Sequence, residues 1–79
     1  MSNIEKYTNA FTKTFEINED QTKGLVYTGI QAWDSIGHMS LVAALEEAFD
    51  IMMDTDDIID LSSFEKGMEI LSEKYDVEF

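Results

Sequence analysis

Apolar side chains return every three or four residues in three separate stretches of this chain, and that spacing favours helices over strands. Ile4, Tyr7, Phe11 and Phe15 form the first stripe. Leu41, Ala44, Leu45, Ala48 and Phe49 form the second, with Val42 beside it. Phe64, Met68, Leu71 and Tyr75 form the third. Start signals stand ahead of each. Ser2 with Glu5 three residues on makes a capping box, so a first helix is expected over about Asn3 to Phe15. Asp34 sits at an N-cap position before a second helix from Ser35 to about Phe49. Asp54 to Asp57 is rich in helix-start residues, and Ile58, Ile59 and Leu61 supply anchors for a short third helix. Ser62 and Glu65 read as a second capping box, ahead of a last helix ending near Asp76. The expected architecture is all-α: a small four-helix bundle of three main helices and a short third one.

The connection from Glu16 to Asp34 is too long for a plain turn, and loops of this length tend to be functional or disordered. Leu25, Val26, Tyr27 and Ile30 are apolar anchors that favour an ordered loop packed on the core. A chain of 79 residues allows one domain, 1–79. It has no cysteine, so disulfides, thiolate catalysis and cysteine-held metals are excluded, and the cytoplasm is the expected compartment. The residues from Met1 to Lys6 carry no targeting signal. The longest apolar run, Leu41 to Leu45, is too short for a membrane span. A fold of this size is worth about 4–12 kcal/mol in all, which leaves little room for a deep catalytic cavity.

Charge is strongly one-sided. There are 17 Asp and Glu against 5 Lys and Arg, a net charge of −12, which excludes nucleic-acid binding through a basic patch. From Gly24 to Glu65 there is no Lys or Arg at all. The same stretch holds Asp34, Glu46, Glu47, Asp50, Asp54, Asp56, Asp57, Asp60 and Glu65. A solvated acidic surface would explain this, but such segregation costs self-repulsion, and a face that steers towards basic patches on other proteins explains it better. Ile36, Met39 and Ala43 add a second apolar stripe on the second helix, at i, i+3 and i+7. Periodicity alone favours their being more core. The alternative is an exposed patch flanked by Glu46, Glu47 and Asp50.

Few residues invite chemistry. Counted from Asp54, an EF-hand loop would have Asp54, Asp56 and Glu65 at positions 1, 3 and 12, but Ile58 and Ile59 where a ligand and a glycine are needed. That leaves only non-specific divalent binding to clustered carboxylates, and no metal site is expected. His38 could reach Ser35 or Asp34 on a helix surface. A hydrolase built so would lack an oxyanion hole, and the better reading of His38 is a local contact. Trp33 reads as a core plug that fixes the end of the loop. Ser35 could serve as a cap, but Asp34 already does so, which frees the Ser35 hydroxyl to point outward. A helix start favours an anion there by about 0.3–1 kcal/mol, and Asp34 opposes it.

The run Trp33-Asp34-Ser35-Ile36-Gly37-His38-Met39-Ser40-Leu41-Val42, continuing to Ala44-Leu45-Glu46-Glu47-Ala48-Phe49-Asp50-Ile51, resembles the acyl carrier proteins. Their hallmark is an Asp-Ser-Leu-type motif opening the second helix, then a leucine-rich stripe and a Glu-Glu-x-Phe-x-Ile ending. Length, acidity, the long first loop and the short third helix fit as well. The resemblance implies a non-enzymatic carrier with 4′-phosphopantetheine on Ser35, placed there from coenzyme A by a phosphopantetheinyl transferase. Asp34 would match the motif aspartate that assists the modification. The arm's thiol would hold acyl groups as thioesters. Ile36, Met39, Ala43, Glu46, Glu47 and Asp50 would form the surface read by acyl-loading and acyl-transfer enzymes with basic patches, which tips the second stripe towards exposure. A monomer is implied, and a short apolar cargo sheltered between the helices is a further expectation.

Ile36 replaces the usual leucine, and Ser40 stands where fatty-acid-type carriers commonly have glutamate. Trp33 and the Gly37-His38 pair look more like stand-alone carriers of specialised pathways. The competing expectation is an acidic helical adaptor, or a metal-responsive interaction domain, without a prosthetic group.

Overall fold

The computed structural model describes residues 1–79. Its α-helices are α1 (Asn3–Phe15), α2 (Ser35–Phe49), α3 (Thr55–Asp60) and α4 (Phe64–Lys74). A 3-10 turn over Glu19–Thr22 interrupts the long first connection. The chain is all-α, and no helix is long and apolar enough to cross a membrane.

Local chemistry sets the helix ends. The Ser2 hydroxyl accepts from the Glu5 N–H at 3.3 Å, and the Glu5 carboxylate accepts from the Ser2 N–H at 3.2 Å. Two orphan donors are thereby satisfied at the start of α1. Both α1 and α2 stop at an acidic residue in left-handed geometry: Glu16 at φ 54° and Asp50 at φ 53°. Their N–H groups turn back onto the carbonyls of Thr12 and Glu46. Glycine adopts this conformation at less cost, so both ends carry local strain.

The second expected capping box does not form, and the cap itself is displaced by one residue. Ser63, not Ser62, caps α4, accepting from the Lys66 N–H at 2.9 Å. The reason lies in the loop. Val26 and Ser63 form an isolated antiparallel bridge in which the Tyr27 N–H donates to the Ser62 carbonyl and the Phe64 N–H to the Leu25 carbonyl. Ser63 is the bridge residue and is held extended, at φ −157° and ψ 165°, the backbone of an N-cap, while Ser62 takes part through its carbonyl. Glu65 turns instead to the loop and accepts from the Gly24 N–H at 3.2 Å. The last helix also ends earlier than expected, at Lys74.

The core is aromatic at its centre. Phe11 lies 4.9 Å from Phe64 and 5.5 Å from Trp33, edge to face, and Phe15 stacks on Trp33 at 5.4 Å. Such pairs add about 0.5–1.5 kcal/mol each beyond the area they bury. Leu41, Leu45, Leu61 and Leu71 close around them. The first loop packs through Leu25 and Trp33, both buried. Val26 and Tyr27, expected as anchors, leave much of their side chains in solvent, because that segment is held by its backbone bridge.

Candidate functional site at the start of the second helix

Asp34 is extended backbone, φ −102°, and its Oδ1 accepts from the Gly37 N–H at 2.8 Å. The cap of α2 is therefore made by Asp34. Ser35, the first helical residue, is exposed. Gly37 admits the loop: a Cβ there would collide with the Ala32 carbonyl, so only glycine lets the loop end fold against the first turn. The loop end is itself knotted by the Thr28 N–H on the Trp33 carbonyl and the Trp33 N–H on the Ile30 carbonyl. Thr28 holds φ 64°, a costly conformation for a β-branched residue.

Trp33 is 0% exposed. Its Nε1–H donates to His38 Nδ1 at 2.9 Å, and the two rings stack at 13° with centroids 6.1 Å apart. An indole N–H can only donate, so Nδ1 must be the ring's lone pair. Nε2 then carries the proton and donates to the Ile58 carbonyl at 2.7 Å. His38 thus ties the loop end, α2 and α3 together as a neutral ring. The expected local contact is made with Trp33, five residues back, and the bond to Ile58 extends it across the fold. The available signal was a lone indole donor five residues upstream, but the Ile58 partner is set by tertiary structure.

The second apolar stripe faces solvent: Ile36 is 79% and Met39 54% exposed, and Ala43 is exposed too. Periodicity alone favoured their burial. The helix is apolar on both sides, so spacing could not say which side would be covered. Glu47 and Asp50 are exposed on this helix, as is Ser40. Glu46 differs: it is half-buried, and its Oε2 accepts from the Met53 N–H at 2.9 Å, holding the linker after α2. Ile59, expected as an anchor of the short third helix, is 71% exposed, and Met52 in the linker before that helix is 87% exposed.

Beside the helix start lies an open groove of about 240 Å³ lined by Tyr27, His38, Ile58, Ile59, Leu61 and Ser62. The acidic run after α2 does not converge. Asp57 is 2% exposed and turns inward, where Lys74 Nζ and the Tyr75 hydroxyl each donate to it at 2.7 Å. These donors hold the Asp57 carboxyl below the usual carboxylate range, the Lys74 bond contributing most. No three His, Cys, Asp or Glu side chains come together to hold a metal ion. Comparison with protein-family models, with curated proteins and with solved structures yields no match to the chain.

Proposed function

We propose that the protein is a non-enzymatic acyl carrier, a small four-helix bundle whose Ser35 bears a 4′-phosphopantetheine arm. The observation that supports this best is the division of labour between neighbours: Asp34 caps α2, and Ser35 stands exposed at its first position. The residues fit a covalently tethered group. An exposed hydroxyl at the start of a 15-residue helix suffices for attachment, and the helix end favours the phosphate's charge. No Lys or Arg lies between Gly24 and Glu65 to grip a free phosphate, which suits a group held by a bond to Ser35. In that step Ser35 Oγ displaces the nucleotide half of coenzyme A from the arm's phosphorus and gives its proton to the transferase. Once attached, the arm supplies a thiol that holds acyl groups as thioesters.

The rest of the machinery is a surface. Ile36, Met39 and Ala43 offer apolar contact, and Glu47 and Asp50 offer charge to partner enzymes with basic patches. Weak, electrostatically steered docking suits a monomeric shuttle that must release each partner in fatty-acid or specialised (polyketide, lipid or sugar-modifying) biosynthesis. The test is direct. Incubation with fluorescent coenzyme A and a broad-specificity phosphopantetheinyl transferase should label the protein, and Ser35→Ala should abolish the label. An unlabelled native chain would end the carrier reading in favour of an acidic adaptor.

A further inference from the structure

His38 sits where α2 meets α3, and its ring is committed on both edges. One edge accepts the Trp33 indole N–H and the other donates to the Ile58 carbonyl. The Tyr27 ring stands edge-on to it at 5.5 Å, and the Trp33 ring lies nearly parallel to it, at 13°. The space behind is occupied: Trp33 fills it and is packed in turn by Phe11 and Phe15. Separating α3 from α2 here would strip Ile58 of its donor. It would also leave the His38 Nε2–H without an acceptor, whereas the Trp33 bond, which runs from the loop end to α2, would fix the ring in place facing the seam. The groove lined by His38, Ile58 and Ile59 is open to solvent.

We propose that His38 latches the seam between α2 and α3, and so restricts the carried group to short acyl chains that stay outside the helical core. This rests on the carrier reading above, and it replaces the expectation of cargo sheltered between the helices. His38 acts as a positioning residue through Ile58 and Trp33. A chain of a few carbons leaves the latch closed and lies in the open groove or in solvent. A long chain finds no interior to enter and gains nothing from the fold.

The test loads the whole protein with acyl-phosphopantetheine arms of two, four, eight and twelve carbons, using the corresponding acyl-coenzyme A and a broad-specificity transferase. Intact mass confirms each load, and the melting temperature is read for each. The native chain should show one Tm for all four. In His38→Ala, Tm should climb with chain length, by about 4–8 °C at the longest if the opened core gains ~1 kcal/mol of burial. His38→Gln, which keeps one acceptor and one donor, should return to the flat response. A native Tm that rises with chain length overturns the latch, and this result does not require the alanine variant to fold. A flat series in His38→Ala also overturns it. Failure of the native chain to take any arm is a different result and removes the carrier reading itself.

Discussion

The Tyr7 hydroxyl, on α1, donates a 2.6 Å hydrogen bond to the backbone carbonyl of Phe64, the first residue of α4. Gly67 makes room for it, since a Cβ there would collide with the Tyr7 oxygen and press on Leu61. Gly67→Ala should therefore cost about 1–3 kcal/mol through overpacking. Tyr7→Phe should cost about 1–3 kcal/mol by leaving a buried carbonyl short of a partner. Combined, the two should cost less than their sum, because removing the hydroxyl relieves the clash. Urea unfolding of the two single variants and the double variant measures this.

Burial pushes the Tyr7 phenol well above its ordinary range. A raised native value means that stability is full below the unfolded phenol's ~10 and falls as pH climbs past it. Tm should drop steeply above about pH 10 in the native chain, and less steeply in Tyr7→Phe, on top of a loss shared by both from lysine neutralisation.

Asp57 controls the acid side. Its carboxyl is depressed by the Lys74 and Tyr75 bonds. A depressed native value means that stability is present above the unfolded ~3.9 and is lost as pH falls through the lower native value. Asp57→Asn should melt earlier at neutral pH and show a flatter Tm profile between pH 5 and pH 2. A variant whose acid limb matches the native one would show that other carboxylates govern it.

On the carrier reading, Asp34 separates capping from modification. Asparagine caps as well as aspartate, whereas alanine loses about 0.5–2 kcal/mol at such a site. Asp34→Asn should keep the native Tm yet label more slowly with fluorescent coenzyme A, and Asp34→Ala should lose in both measurements.

The exposed stripe should be silent in folding. Ile36→Ala and Met39→Ala are expected to change stability by no more than about 0.5 kcal/mol. On the carrier reading they raise the transferase's KM, which steady-state labelling reads directly.

Most of the acids between Gly24 and Glu65 are exposed, including Asp34, Glu47, Asp50, Asp54, Asp56, Asp60 and Glu65. Salt or millimolar Mg²⁺ should raise Tm by screening their repulsion. An unchanged Tm across that range would mean that their mutual repulsion contributes nothing to stability.

What could be read from the chain beforehand divides along physical lines. Ser2, Glu5 and Asp34 act within four residues of themselves, and their caps were legible. Of the stripe at Ile4, Tyr7, Phe11 and Phe15, the last three are buried on the apolar side of α1, whereas Ile4 in the first turn is 40% exposed. In α2, Ile36 and Leu41 are equally apolar, and the choice of which one to bury is made by α1 and the loop. Ser62 and Ser63 were indistinguishable until the bridge to Val26 held Ser63 as the extended residue before the helix. At the helix start, Asp34 and Ser35 were visible from motif and spacing. The tie from His38 to Ile58 spans 20 residues and depends on where α3 comes to rest, which no local pattern encodes.

The sequence contains a single tryptophan, and it lies two positions before Ser35, sealed from water between Phe15 and His38. The molecule thus contains its own optical probe, with an emission wavelength and quantum yield that answer to the ring beside it. On the carrier reading, attachment, cargo and partner binding at the helix start would be followed in the native polypeptide by ultraviolet fluorescence, with no dye and no added reporter.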